Sequence, residues 1–385
     1  MRVSIFLCAG LALLALLASG AGAKTTWDAL DHYSFDRYVV EFNKAYASDD
    51  EVVSRRAIFE SRLAAIKAHN RDASKSWKQG VNQLTDRSEA EIRQLLGYNK
   101  GVAAGLAPRG GLQWESAWTG LNEIAQKMRA AAINHVDWRE KGVISPVKDQ
   151  GQCGSCWTFG SSETLESYWA LATGQLPILS EQHILDCIPN PDQCGGTGGC
   201  AGGTAELVYR ALMTQSSGLA SEWTYPYRSY WGEAFQCSFN TTRTPVVAKV
   251  KNYVVLPSNK YDPVIEALTT TGPLVINVDA SSWHAYESGV FDGCNQTNPD
   301  INHVVQLVGY GTDAKEGDYW LVRNSWSPVW GEKGYIRLKR RSNPICGIDL
   351  KPSDGTGCKG GPATVTVCGE CGLLYDVSYP VVATA

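Results

Sequence analysis

The hydrophobic pattern of this chain changes period at Pro245. Before it, from about residue 133, the sequence reads as helix and loop. The run from Cys156 to Thr173, the serine-capped start at Ser180-Glu181-Gln182-His183, and the stretch 205–214 are the helix candidates. After it, 246–255, 273–278, 304–310, 319–324 and 334–338 are rich in β-branched and aromatic residues, which predicts strands. A helical half followed by a β half predicts an α+β fold of two lobes. A cleft between two lobes is a common place for a site.

The amino terminus bears on the compartment. Met1-Arg2, an apolar run over 3–18 and Ala21-Gly22-Ala23 have the form of a secretory signal, with cleavage expected after Ala23. The apolar run is short for a membrane span, and no later stretch reads as one. The expected destination is the secretory pathway, either a lysosome or vacuole or the exterior. Twelve cysteines suit that oxidising route. Cys8 leaves with the signal, so the remaining number is odd and one thiol is expected to stay free. Asn240-Thr241-Thr242 and Asn295-Gln296-Thr297 are glycosylation patterns. A net charge of -4 argues against a nucleic-acid surface, and Lys339-Arg340-Arg341 reads as a solvated strand end.

The chemistry concentrates at Gln150-Gly151-Gln152-Cys153-Gly154-Ser155-Cys156-Trp157. Ser155 is placed to cap a helix carrying Glu163, Leu165, Tyr168, Trp169 and Leu171 as an amphipathic segment, ending near Thr173-Gly174. A thiol at that N-terminus feels the positive end of the helix dipole, which favours thiolate. Taken alone, a Cys-x-x-Cys is equally a pair of structural half-cystines. A nucleophilic thiol needs a base, and histidine serves near neutral pH. Of six histidines, His284 and His303 fall in the β half, and His303 precedes a buried-strand pattern that would fix its position.

These segments resemble the papain-like cysteine proteases, which implies a helical lobe and a β-barrel-like lobe preceded by a helical pro-domain. The motif around Cys156 matches the family's nucleophile segment, Asn302-His303-Val304 its histidine segment, and Asn324-Ser325-Trp326 its orienting segment. The resemblance implies Cys156 as nucleophile, His303 as acid and base, Asn324 as the group orienting the ring, and Gln150 as an oxyanion donor. Asn302 stands where aspartate is frequent and Ser327 where glycine is usual. His303 and Asn324 follow Cys156 by 147 and 168 positions (303 − 156 and 324 − 156). Cys200-Ala201-Gly202-Gly203 resembles the family's substrate strand, with Gly202 and Gly203 letting a peptide backbone approach. By family position Thr204, Ala205, Asn277, Ile301, Val304 and Asp376 are implied to line the pocket for the second residue before the cut. Trp326 would shield the histidine and Trp330 line the leaving-group side.

The resemblance also implies bridges Cys153–Cys200 and Cys187–Cys237, and Cys294–Cys346 by usual spacing. An insertion at about 350–370 leaves a second copy of the tail motif, Cys371-Gly372-Leu373 against Cys346-Gly347-Ile348, so the tail register stays open. If Cys346 is the family cysteine, Lys351 and not Asp376 reaches the pocket floor. Zinc at Cys187, Cys194 and Cys200 is a weaker reading than disulfides, because the spacing is irregular and the route oxidising. No metal or other cofactor is expected.

Residues 24–132 resemble an inhibitory pro-segment and linker of the cathepsin L subgroup. Glu51, Arg55, Phe59, Arg62, Ile66 and Asn70 share one helix face, with Arg62 in place of asparagine. Gly80 to Asp86 resembles the second pro-segment motif, with Leu84 in place of phenylalanine. The linker runs over 97–111, an extra helix is possible over 112–132, and the mature enzyme is expected to begin between about 129 and 135, leaving 133–385 as the peptidase. The expectation is therefore a monomeric cysteine endopeptidase zymogen acting on polypeptides, with its own pro-segment as inhibitor. The absence of a paired-histidine insertion after Gly203 speaks against a carboxydipeptidase. An inactive peptide-binding relative and a thiol acyltransferase are the competing readings. The intact triad residues weigh against the first, and the signal and pro-segment against the second.

Overall fold

The computed structural model describes residues 24–97, 112–113, 134–214, 218–354 and 357–384. The signal, the linker beyond Gly97, the extra-helix stretch from 114 onwards and the expected cleavage zone up to 133 lie outside the described residues.

The amino-terminal unit is helical. α1 (Phe35–Glu41) and α2 (Asp49–Arg71) begin at Ser34 and Ser48, whose hydroxyls accept from the Arg37 and Glu51 amides. Phe59, Leu63 and Ile66 of α2 pack with Tyr33, Phe35 and Tyr38 into a separate small core. The polar members of the predicted face each do something different. Arg55 reaches Glu91 at 2.6 Å, Arg62 donates to the Leu84 carbonyl at 2.8 Å, and Asn70 clasps both backbone groups of Gln79. Gln79 belongs to β1 (Lys78–Gln79). α3 (Glu89–Leu95) opens with a reciprocal capping box between Ser88 and Glu91. β2 (Leu112–Gln113) follows.

The main body opens with β3 (Val136–Asp137) and then the helical lobe: α4 (Cys156–Thr173), α5 (Glu181–Cys187) and α6 (Ala205–Thr214). β4 (Leu219–Ala220) and β5 (Val246–Ala248) form a small ribbon. β6 (Val250–Val255) is separate from β5, where the sequence predicts one strand. Lys249 breaks the run, so β5 pairs towards the helical lobe and β6 joins the main sheet. α7 (Tyr261–Thr270), not predicted from sequence, precedes β7 (Leu274–Val278), β8 (Tyr286–Ser288), β9 (Val290–Phe291), β10 (His303–Asp313), β11 (Gly317–Arg323) and β12 (Tyr335–Lys339). The tail holds β13 (Cys346–Asp349), β14 (Val365–Cys368) and β15 (Val377–Val382).

The main sheet runs β2-β6-β15-β7-β10-β11-β12-β9, with β3 added on β10. Its ends do not join, so the β lobe is an open sheet and not a closed barrel. The path is mostly antiparallel, which accounts for the short, alternating sequence signals.

α4 corrects the sequence reading. An amphipathic helix was expected, yet 14 of its 18 residues are buried. It runs through the molecule between the lobes and packs on β10, where a Cβ on Gly160 would come within 2.9 Å of a Val304 methyl. Its buried hydroxyls are satisfied by carbonyls one turn back: Ser161 on Trp157, Thr164 on Gly160, Ser167 on Glu163. Ser155 precedes the helix but makes no side-chain cap; its hydroxyl contacts Tyr227 instead. The helix ends at Gly174 with φ 75°, a left-handed C-terminal residue.

The amino-terminal unit docks on the β lobe. Trp77 enters the main core with its ring 4.5 Å from Phe291, and β1 pairs with β8. Leu84, Ile92, Leu95 and Leu96 join the same core.

Five disulfides pair ten cysteines: Cys153–Cys200, Cys187–Cys237, Cys194–Cys358, Cys294–Cys371 and Cys346–Cys368. The Cys294–Cys346 pairing expected from spacing is not formed. β13 and β14 are antiparallel with Cys346 opposite Cys368, which satisfies Cys346 locally and leaves Cys294 to Cys371. Cys187, Cys194 and Cys200 are all bridged, so that trio has no thiolate to offer zinc. Asn240 and Asn295 are exposed.

Candidate active site

Cys156 is the free cysteine among the described residues and is the first residue of α4. Its lobe delivers the sulfur to the interface; the β lobe delivers His303, the first residue of β10. His303 Nε2 lies 2.8 Å from Asn324 Oδ1, and the other ring nitrogen, Nδ1, is buried without a hydrogen-bond partner. The backbone amides of Val304, next to His303, and of Cys156 and Trp157 lie near enough to the Cys156 sulfur to favour its thiolate. The sulfur of the helical lobe thus lies against the start of β10, beside His303 of the β lobe. Asn324 Oδ1 also accepts from Ser325 N at 2.8 Å, which fixes the amide against rotation. The Trp326 ring sits 4.9 Å from the imidazole and keeps water from the His303–Asn324 bond.

Gln150 is held on both sides. Its Oε1 accepts from Ser325 Oγ at 2.6 Å, and its Nε2 donates to the Cys153 carbonyl at 2.9 Å and to the Leu95 carbonyl at 2.8 Å. Leu95 belongs to the amino-terminal unit. After it the chain enters the cleft, where a Cβ on Gly97 would stand 3.6 Å from the Cys156 sulfur. The segment thus takes a carbonyl to the donor amide and a glycine to the thiol. Covering the site also sets its charge state. Burial pushes the Cys156 thiol up to about 11, over the three amides that favour thiolate. Burial pushes His303 down to about 4, against the favourable Asn324 contact. Burial of both groups thus favours the neutral pair over the ion pair.

Gly202 and Gly203 line the helical-lobe wall. Gly202 has φ 87° and contacts Gly97, and a Cβ on Gly203 would strike the Trp157 indole at 2.7 Å. The need for glycine at 203 thus comes first from the molecule's own tryptophan. Thr204 and Ala205 are buried at the start of α6. On the β-lobe side Asn277 lies opposite Val304 across β7 and β10, and its Nδ2 donates to Asp376 Oδ2 at 3.2 Å; Ile301 is close by and fully buried. The Cys294–Cys371 bridge places Asp376, not Lys351, in this register. Lys351 lines a separate cavity with Ser281, Asn302 and Leu96. Trp330 departs from its expected role. It is fully buried against Trp283, Tyr286 and Trp326, so Trp326 alone of the two reaches the cleft.

Sequence reasoning missed the interlobe charges. Glu163 of α4 lies 3.1 Å from the Arg323 guanidinium, and Lys148 lies 2.6 Å from Glu166 and bridges to Glu181. Glutamates at 163 and 166 on a mostly apolar helix were the available signal.

Comparisons with known proteins cover most of the chain. A profile described as "Papain family cysteine protease" matches residues 132–356, and one described as "Cathepsin propeptide inhibitor domain" matches residues 35–92. A "Cathepsin L-like" protein of Caenorhabditis elegans is 34% identical over 324 residues, spanning 83% of this chain and 90% of the relative. "Cathepsin S" of Bos taurus is 35% identical over 347 residues, spanning 88% and 96%. Among solved structures, a recombinant stem bromelain precursor superposes with TM-score 0.69 at 29% identity, covering 91% of this chain and 98% of that one. A digestive procathepsin L2 proteinase from Tenebrio molitor larval midgut gives TM-score 0.71 at 26% identity, covering 90% and 98%.

Proposed function

This chain belongs to the papain family of cysteine proteases and carries a cathepsin-type propeptide, and from that premise we propose that it is the zymogen of an endopeptidase working through Cys156, His303 and Asn324. One observation carries the reading: Cys156 is the free, buried cysteine among the described residues and lies by the Val304 amide, next to a histidine whose Nε2 is tied to Asn324 and whose Nδ1 has no partner.

The chemistry follows from that arrangement. With the propeptide gone, water and substrate dipoles return to the site, and the proton moves from Cys156 to His303 Nδ1. The thiolate attacks the scissile carbonyl carbon. The oxyanion is held by the Cys156 amide and by Gln150 Nε2, which exchanges the Leu95 carbonyl for the reacting oxygen. His303 passes its proton to the departing amine, and Asn324 keeps the ring aligned. Water then attacks the thioester, its proton going to His303 and its oxygen to the acyl carbon, which frees the thiol.

The propeptide inhibits by occupying both the oxyanion donor and the approach to the sulfur. The pocket for the second residue before the cut is formed by Thr204, Ala205, Asn277, Ile301, Val304 and Asp376. The carboxylate there favours arginine or lysine beside apolar side chains. The chain enters the secretory pathway, and the peptidase portion, from about 133 to 385, acts on polypeptides in a lysosome-like compartment or outside the cell.

Labelling the acid-treated protein with an epoxysuccinyl peptide and mapping the adduct tests the proposal. Modification at Cys156, absent in Cys156→Ser along with all peptide hydrolysis, is the expected result. Full turnover by Cys156→Ser sinks the mechanism.

A further inference from the structure

The carboxy-terminal insertion joins the two walls of the cleft. On the β-lobe side Asp349 Oδ2 accepts from the Ile301 amide at 3.3 Å, and the Ile348 amide donates to the Thr297 carbonyl at 3.0 Å. Lys351, two residues on, stands beside Asn302 and the cleft-filling Leu96. On the helical-lobe side Cys358 is bridged to Cys194, the Gly195 amide donates to the Gly357 carbonyl at 2.8 Å, and the Lys359 amide to the Asp192 carbonyl at 2.8 Å. Between these anchors the Gly357 amide donates to the Pro352 carbonyl at 2.5 Å. The crossing from wall to wall is therefore a backbone contact from Pro352, three residues after Asp349, to Gly357, which is itself held by Gly195.

The crossing stands next to the substrate strand. A Cβ on Gly202 would meet the Gly195 carbonyl at 2.2 Å and the Gly97 carbonyl at 2.4 Å. Gly195, which holds the insertion, and Gly97, which fills the cleft, thus flank the same glycine. The Asn190 side chain pins this loop through three backbone contacts to Cys194 and Gly196, so the anchor is rigid. A separate bridge, Cys346–Cys368, closes the root hairpin without crossing the cleft.

We propose that this cross-wall tie ends the substrate channel on the amino-terminal side of the scissile bond, so that cleavage is fastest when few residues precede the cut. The inference rests on the Cys156 reading and on Gly202-Gly203 facing the acyl part of the peptide. Each extended residue needs about 3.4 Å, so a contact beside Gly202 leaves room for about three residues before the cut.

The test is kcat/KM on acetyl-capped peptides that are identical from two residues before the cut onwards and lengthened stepwise upstream. The cap removes the terminal charge, so length alone varies. The activated wild type should lose about tenfold once the upstream part passes three or four residues. Cys194→Ser with Cys358→Ser should abolish that loss, while Cys346→Ser with Cys368→Ser should retain it. A rate that stays flat or rises with upstream length in the wild type overturns the tie, and that arm needs no variant to fold. A length penalty unchanged in the Cys194→Ser, Cys358→Ser protein also overturns it. If no peptide of any length is cut, the catalytic reading fails and takes this inference with it.

Discussion

The propeptide and the interface between the lobes use the same residue types to opposite effect. In the propeptide, Glu91 is pinned by Arg55 and by the Ser88 amide, and Asp86 by Lys44, Tyr38 and Tyr46. Burial raises Glu91, but Arg55 and Ser88 outweigh it and hold the carboxyl at about 2; Asp86 is likewise held low. Between the lobes, the three carboxylates of Glu163, Glu166 and Glu181 face two cations, Lys148 and Arg323, while Ser145, Ser162 and the Leu179 amide donate to Glu166 and Glu181. Burial lifts Glu163 to about 7 despite both cations, Glu181 is raised as well, and neighbouring Glu222 is raised to about 7. Arg323 meets Glu163 as a charge contact, since Glu163 Oε1 has no aligned hydrogen bond.

The two regions therefore respond to pH with opposite sign. A carboxyl depressed on folding contributes stability above its unfolded value near 4.5, and loses it as pH falls towards 2. A carboxyl raised on folding contributes below 4.5, and loses it as pH rises through about 7. Acid loosens the propeptide and favours the body it covers. Glu51 and Asp86 pair with Arg55 and Lys44 inside the propeptide and not across the interface. Acid thus acts first on the inhibitor's own fold. Its direct links to the body include amide contacts, Gln83 Nε2 on the Trp326 carbonyl and Asn82 Nδ2 on the His284 carbonyl, the apolar packing of Trp77 and Leu84, and an ion pair, Lys24 to Glu287 at 3.9 Å.

The largest effect expected from this contrast is at Cys156. Alkylation near pH 6 should be about a thousandfold faster after propeptide removal, because uncovering restores the thiolate. Equal rates before and after processing would mean that covering does not set the charge state.

Glu163→Gln mimics the protonated carboxyl and removes the excess charge. The difference in unfolding free energy between pH 5 and pH 7.5 should shrink by about 2 kcal/mol. Denaturant unfolding of the mature enzyme at both pH values measures it, and an unchanged difference would assign the pH dependence elsewhere.

Glu91→Gln sharpens the other side. Without the Arg55 pair, autoprocessing should need less acid, its midpoint rising by about one pH unit, as gel analysis of timed incubations will show. A midpoint that stays put would make this pair irrelevant to release.

The smallest effect concerns the pocket. Asp376→Ala should lower kcat/KM for arginine or lysine as second residue before the cut by about fivefold, with leucine substrates little changed. A uniform loss across a peptide library would give Asp376 a structural role through Asn277 alone.

How far the chain was legible depends on the range of the interactions involved. The triad residues and Gln150 sit in short motifs whose roles travel with them. The strands of the β half appear wherever one face is buried, because alternation is local. α7 escaped notice because its apolar positions are few and Asp262-Pro263 resembles a turn. α4 was read as amphipathic because Glu163, Glu166 and its hydroxyls look solvent-facing; only the second lobe, supplying Arg323, makes them interior.

Sequence alone supplied the signal-like pattern of the amino terminus and the odd number of cysteines, which rest on composition and local pattern, and the motifs whose family resemblance implied the catalytic order and the propeptide. Tertiary structure alone decided the tail. Cys194, Cys294, Cys346, Cys358, Cys368 and Cys371 allow fifteen pairings on paper. The choice among them depends on β13 lying against β14 and on which wall each loop reaches. A disulfide forms where packing brings two sulfurs together, and that proximity is a property of the whole fold.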